Sequence, residues 1–344
     1  MPDISNGDLP LPPVERVRPG LWSIPVPIPN NPLRYVLVYA FESDQGPYLI
    51  DAGWNTDDAW NTLVDGLAEA GFAASDVQGV MVTHIHPDHY GLAGRIREAS
   101  GAWVALHPAD AELITARYDE PDDLLEKMGA MLRRDGAPPE EIDTLRNASM
   151  PVRGWVYAAT PDILIEDGDR PRVPGWDLKA IWTPGHSPGH LCFYEGKNRL
   201  MLSGDHVLPR ITPNISFHPQ AGPDPLGDFL SSLDKVAAYE AEGVLPAHEH
   251  RFDDLGARVN ELKGHHQARF DEVLAAVRGG ETTAWQIAGW MTWNRPWEEI
   301  QGWMRRAAVG ETLAHLQYLG LRGVLEEEVG EPSHWRIVDA AKRA

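Results

Sequence analysis

Residues 34–42 (RYVLVYAFE) and 47–53 (PYLIDAG) are short runs rich in β-branched, aromatic and aliphatic side chains and predict strands, with a turn around 43–46 between them. Trp60, Leu63, Val64 and Leu67 then recur at helical spacing and predict a helix over 56–71. A short β-branched run, GVMVTH over 79–84, predicts a strand that ends in polar residues. A helix over 91–100 and a strand over 103–107 follow. Such alternation of strands and helices indicates an α/β layered fold. Residues 108–160 differ: Leu124, Leu125, Met128, Met131 and Leu132 repeat at helical spacing, and 139–147 predict another short helix. This stretch reads as a helical insertion, which is either packed on the layers or a lid over an apolar pocket. Strands resume at 178–183, a hairpin is predicted from 191–194 and 200–204, a helix from 226–239 and a strand from 243–248. Beyond about residue 256 the texture is helical (257–278, 285–291, 300–320), ending in a small hairpin of 324–329 and 335–338. The first 20 residues show no period. The expected organisation is therefore an irregular arm over 1–20, a main domain over 21–255 carrying the 108–160 insertion, and a C-terminal domain over 256–344.

Composition narrows the field. A chain of 344 residues that is 43% hydrophobic and 24% charged can bury a full core, which excludes global disorder. Against 30 basic side chains stand 51 acidic ones, a formal net charge of −21. Such a surface repels polyanions, so nucleic acid and anionic membranes are poor partners. No apolar run approaches the roughly 18 residues of a membrane span, and no basic-then-apolar leader opens the sequence. A soluble cytoplasmic protein is expected. Cys192 is the sole cysteine; no intrachain disulfide can form, and it is expected to pack in the core.

The candidate chemistry is concentrated in histidine and aspartate. Thr83-His84-Ile85-His86-Pro87-Asp88-His89 follows the 79–84 strand. His84 and His86, two apart on an extended segment, point to one side. Four metal-ligand side chains within six residues exceed what one tetrahedral ion takes from a single segment, which hints at two adjacent ions. Further candidates stand at later strand ends: His186 in TPGHSPGH, Asp205 in LSGD and His248 in LPAH.

This pattern, HIHPDH and then His186, Asp205 and His248, closely resembles the metallo-β-lactamase-fold hydrolases, with the greatest similarity to their glyoxalase II-like branch. Asp51-Ala52-Gly53 matches that family's first motif, and the similarity covers roughly residues 20–255. The resemblance implies an αβ/βα sandwich with a dinuclear site at one edge. It implies that His84, His86 and His186 hold one ion, that Asp88, His89 and His248 hold the other, and that Asp205 bridges them. Asp51 would orient ligands through hydrogen bonds without touching metal. His190 would order the loop in the same way. His206 is expected near the pocket but off the metal, His218 either lines the pocket or is a plain loop residue, and His248 is favoured over His250 as the ligand. His265 and His266 fall in a polar helix and are expected to be solvated.

The implied activity is hydrolysis of a small ester, thioester or lactone by a hydroxide bridging two divalent ions, with Asp88 orienting the hydroxide or carrying its proton. Zinc is the first choice, and manganese or iron would also suit imidazole and carboxylate. An endoribonuclease-like phosphodiesterase and a mononuclear iron sulfur dioxygenase are the rivals, together with a non-enzymatic binding protein on the same scaffold. The net charge weighs against the first, and the complete seven-residue set against the others. The tail resembles the winged-helix segment that some of these hydrolases carry. Residues 281–344 hold seven Lys/Arg and nine Asp/Glu, however, and a DNA-groove reader needs a basic face. A packing or homodimerisation role is expected instead, with Trp285, Trp290, Trp293, Trp297 and Trp303 supplying buried area.

Overall fold

A computed structural model describes residues 10–29 and 31–339; the first nine positions of the expected arm lie outside them. The strands are β1 (Glu15–Arg18), β2 (Leu21–Pro27), β3 (Tyr35–Phe41), β4 (Tyr48–Ile50), β5 (Gly79–Met81), β6 (Trp103–Leu106), β7 (Ile163–Leu164), β8 (Leu178–Trp182), β9 (Leu191–Glu195), β10 (Leu200–Gly204), β11 (Gly243–Pro246), β12 (Leu325–Glu328) and β13 (His334–Ile337). The helices are α1 (Asp57–Glu69), α2 (Pro87–Tyr90), α3 (Ala93–Ser100), α4 (Pro108–Ala111), α5 (Asp122–Arg134), α6 (Pro139–Arg146), α7 (Pro225–Ala237), α8 (Leu255–Gly279), α9 (Ala284–Trp290) and α10 (Gly302–Leu321). Among the described residues no helix is long and apolar enough to cross a membrane.

Strands β1 to β7 form one sheet in sequence order, antiparallel through β4 and parallel from β4 to β7. A second sheet runs β11-β10-β9-β8, with β11 parallel to β10 and the rest antiparallel. Leu21, Tyr39, Met81, Phe193, Leu202 and Leu245 fill the space between the two sheets. Helices α1 and α3 cover the first sheet through Leu63, Leu67 and Ile96. The second sheet is covered by α7 and α8, through Phe229, Leu233, Val259 and Leu262. The result is the four-layer αβ/βα sandwich expected of the sequence.

Three strands were not anticipated, β1, β2 and the two-residue β7. Residues 15–18 pair with 21–23 and are not an irregular arm, and β2 itself escapes notice because Pro25 and Pro27 break its pattern. A proline cannot donate to a ladder and is confined to positions with a free edge. Both prolines lie where β1 no longer covers β2 and face only β3, opposite Leu37 and Tyr35.

The C-terminal helices share one core with the second sheet. Leu313, Leu316 and Leu319 of α10 cluster with Met201, Leu226 and Phe229, and Met128, Met131 and Leu132 of α5 join them. The methionine stripe of the insertion therefore packs into the core. The tryptophans behave less uniformly than expected. Trp285 and Trp293 pack against this core, whereas Trp290 and Trp303 are 48% and 51% exposed. His266 is buried on α8 with its Nδ1 3.1 Å from His315 Nε2, so the expectation of a solvated pair fails for it and holds only for its neighbour His265. Adjacent positions on a helix point in different directions, and only that of His266 meets α10. Cys192 is buried in β9, and burial pushes its thiol up to about 12.

Asp135 follows α5 in this core with its carboxyl Oδ2 unpartnered, and burial pushes the carboxyl up to about 7. A folded pKa above the unfolded value of about 3.9 means that the native state holds the extra proton. That stabilisation is complete below about pH 4 and is lost as pH rises toward 7, by about 1.4 kcal/mol per unit. Asp135→Asn is expected to flatten this slope and to be more stable than the parent chain above pH 7, as read by denaturant unfolding at pH 5 and pH 8.

Candidate metal centre

The segments that follow β5, β8, β10 and β11 bring all seven predicted ligands together. His84 Nε2 lies 2.9 Å from His86 Nδ1, which lies 3.0 Å from His186 Nε2. On the other side, Asp88 Oδ2 is 3.6 Å from His89 Nε2 and 3.3 Å from His248 Nε2. Asp205 stands between the groups. Its Oδ2 is 3.6 Å from His186 Nε2, while its Oδ1 is 3.6 Å from His89 Nε2 and 3.3 Å from His248 Nε2. Within each of the triads His84–His86–His186, His84–His89–Asp205 and Asp88–His89–His248 the donor atoms are within 4.8 Å of one another.

Hydrogen bonds behind the rings decide which nitrogen faces inward. His186 Nδ1 donates to the Asn214 carbonyl (2.9 Å), His248 Nδ1 to the Tyr35 carbonyl (2.8 Å) and His89 Nδ1 to Asp51 Oδ2 (2.8 Å). With Nδ1 committed as a donor, Nε2 is the nitrogen that each of these rings turns toward the cluster. Asp51 also accepts from Thr83 N (2.8 Å) and Thr83 Oγ1 (3.1 Å), tying β4 to the ligand loop. It does so from a left-handed backbone, φ +65, a conformation rare outside glycine and commonest at functional sites. His190 uses both of its nitrogens elsewhere: Nδ1 donates to Thr183 Oγ1 (2.8 Å) and Nε2 accepts from Asp205 N (3.1 Å). It positions the aspartate and offers the cluster nothing directly. Gly204 allows this contact, since a Cβ there would lie 2.7 Å from His190 Nε2.

Glu249, with φ +68, turns the chain so that His248 is buried and His250 is exposed. His206 is buried between the rings of His190 and Phe229, away from the donor triads. His218 accepts from Gln220 N through Nδ1 (3.2 Å). One important residue carried no signal in the sequence. Asp110, fully buried, accepts from Ile85 N (2.9 Å), Ser187 Oγ (2.8 Å) and Gly189 N (2.7 Å). It clamps the 84–86 loop to the 186–190 loop, and its partners are too distant in sequence to read as a motif.

The residues fit a divalent metal. His89 Nε2, His248 Nε2 and Asp205 Oδ1 are buried and make no hydrogen bond, an arrangement that is costly unless a cation satisfies it. Burial and the neighbouring imidazoles hold His84 and His86 well below the usual histidine range, in the neutral form that ligates. Burial opposes charge on His248, but the Asp205 and Asp88 carboxylates outweigh it and raise the ring to about 10. The same excess of negative charge would favour a metal cation. His84, His89 and His248 are closed to solvent, and the accessible edge consists of His86, Asp88, Asp205 and His186, the last three with side chains 13%, 10% and 9% exposed.

A four-layer αβ/βα sandwich with a histidine–aspartate cluster at its strand ends defines a class of metal-binding α/β proteins. Residues 31–248 match the family described as the metallo-beta-lactamase superfamily, and the chain belongs to it. It is similar to a metallo-beta-lactamase family protein of Thermus thermophilus, with 32% identity, a TM-score of 0.81, and coverage of 94% of this chain and 100% of that one. A probable metallo-hydrolase of Bacillus subtilis strain 168 is 25% identical over 87% of this chain and 90% of its own length. A lactamase-like protein of Aspergillus niger is 34% identical over 125 residues; the match spans 36% of this chain and 37% of that relative.

Alanine substitution at His248 is expected to lower the metal content of the purified chain, whereas His250→Ala leaves it unchanged. Elemental analysis of the two variants side by side checks this, and equal metal loss from both would count against the assignment.

Proposed function

We propose that the protein is a dinuclear metal-dependent hydrolase of a small ester, thioester or lactone. The observation that carries this reading is the position of Asp205, with one oxygen toward His186 and the other toward His89 and His248. His84, His86 and His186 would hold one divalent ion, and Asp88, His89 and His248 the other, with Asp205 shared. When bound, such a pair, most simply zinc, activates water as a nucleophile near neutral pH and polarises the scissile carbonyl.

The chain's own residues would do the rest. Asp88, at the accessible edge, is placed to orient the attacking water and to carry its proton toward the leaving group. Asp51, Tyr35 and Asn214 keep the His89, His248 and His186 rings in the ligating tautomer, so no reorganisation is needed during reaction. The closed side of the cluster keeps bulk water from the histidines. No serine or cysteine nucleophile is required, and Cys192, buried with a raised pKa, is unsuited to that role. A glyoxalase II-like substrate class and a winged-helix character for the tail belong to this same reading. Net charge of −21 favours a small molecule over RNA.

The test is a panel of thioesters, lactones, aryl esters and single-stranded RNA, assayed before and after chelation. Turnover of one of the acyl substrates, lost on chelation and restored by zinc, is expected. Asp88→Asn should lower kcat by about a hundredfold or more. Metal-dependent cleavage confined to RNA would overturn the acyl-hydrolase reading.

A further inference from the structure

The C-terminal helices bury charged side chains that no step of the proposed hydrolysis uses. Glu311 stands in the middle of α10 with its side chain largely out of water, and both of its carboxylate oxygens are engaged. Oε1 lies 3.7 Å from Arg269 Nε on α8, and Oε2 accepts from Asn214 Nδ2 at 3.1 Å. Arg269 is itself fixed. Its Nη1 donates to Glu272 Oε2 and to the Thr292 carbonyl, both at 2.7 Å, and its guanidinium sits 4.3 Å from the ring centre of Trp293. Apolar side chains in place of a buried ion pair are often neutral or stabilising. Packing of the tail therefore does not by itself call for this one.

The group ends behind His186. Tyr35, which aims His248, belongs to β3, and Asp51, which aims His89, is tied to Thr83 N beside β5. Asn214, which aims His186, lies in no strand or helix. Its rigidity comes from α10 instead. Asn214 Nδ2 is held by Glu311, its Oδ1 accepts from Ser216 Oγ (2.5 Å), and its carbonyl accepts from His186 Nδ1 (2.9 Å). Next to these bonds Phe217 N donates to the Gly310 carbonyl at 2.9 Å. A Cβ at Gly310 would lie 3.0 Å from Ser216 Oγ and 3.2 Å from the Phe217 carbonyl oxygen, so the loop reaches the helix backbone only because that position has no side chain.

We propose that Glu311 is a positioning residue of the metal centre: through Asn214 it fixes the His186 ring and so sets the affinity of the His84–His86–His186 group for its ion, without touching that ion. A role is thereby assigned to the tail beyond packing. Binding free energies are reciprocal, so the ion in turn steadies α10. The inference rests on the dinuclear reading for the ion, but not for the orientation of the ring.

The test uses the full chain with Glu311→Gln, Glu311→Asp and Glu311→Ala. Glutamine keeps the length and the acceptor for Asn214 but loses the charge facing Arg269. Aspartate keeps the charge but withdraws it from Asn214. Zinc affinity is read by competition with a chromogenic chelator, in chains that also carry either His248→Ala, which leaves the His84–His86–His186 group intact, or His86→Ala, which does not. In the His248→Ala chain, Glu311→Asp and Glu311→Ala are expected to weaken zinc about tenfold or more, with Glu311→Gln close to its parent. In the His86→Ala chain all three are expected to leave the remaining ion unchanged. Nitrogen NMR of the metal-free chain reads the ring itself: the parent and Glu311→Gln hold the His186 proton on Nδ1, and Glu311→Asp admits the other tautomer. Equal zinc affinity for the parent and Glu311→Asp would overturn the proposal. So would a loss in Glu311→Gln as large as in Glu311→Asp, since the ion pair with Arg269 and not the bond to Asn214 would then be what matters. If Glu311→Ala fails to fold, the glutamine and aspartate pair carries the test. If no chain binds zinc, the NMR decides: a tautomer that depends on Glu311 upholds the positioning role while the dinuclear reading fails, and one that does not overturns both.

Discussion

Asp205 is withdrawn almost completely from water, and its Oδ1 has only the Nε2 atoms of His89 and His248 for company. An isolated carboxylate in such a place costs several kcal/mol, and the surrounding architecture answers it with the imidazoles of His89 and His248 at Oδ1 and that of His186 at Oδ2. Burial works against its ionisation, but His248 and His89 outweigh that and hold the carboxyl well below the usual range. The histidines in turn are aimed by acceptors from elements far apart in sequence: Tyr35 at the start of β3, Asp51 after β4 and Asn214 before α7. Removing any one of these frees a ring to flip its tautomer and turn a donor toward a place that needs a lone pair.

The same logic explains why the C-terminal helices are integral to the centre. Glu311 of α10 accepts from the Asn214 side chain at 3.1 Å, and Asn214 holds His186. The hydrophobic core shared by α5, α7, α8 and α10 therefore fixes one edge of the ligand set from outside the sandwich. The insertion contributes from the other direction, through Asp110 and through Tyr118 on the Ile85 carbonyl. Packing, loop geometry and ligand orientation form one chain of dependence.

Much of this was legible in the sequence. The HIHPDH run and the strand-end positions of His186, Asp205 and His248 are local signals, and the structure brings those side chains together. Most helices and strands of the sandwich followed the sequence pattern, but Pro25 and Pro27 concealed β2, and the short β1 and β7 gave no signal. What could not be read depends on partners distant along the chain. Asp110 looks like one more acid on a polar helix until its three donors, 25 to 79 residues away, are seen. Tyr35 and Asn214 act through backbone carbonyls, which carry no side-chain signature at all. His266 was misjudged because one apolar contact face on α8 reverses the polarity of its surroundings.

The central claim is that two ions flank Asp205. Crystals of the chain purified without added metal, measured above and below the absorption edge of the metal found, test it most directly. The account predicts two anomalous peaks, one among His84, His86 and His186 and one among Asp88, His89 and His248. A single peak at fully loaded metal content, with the second group left to hydrogen bonds alone, would contradict it.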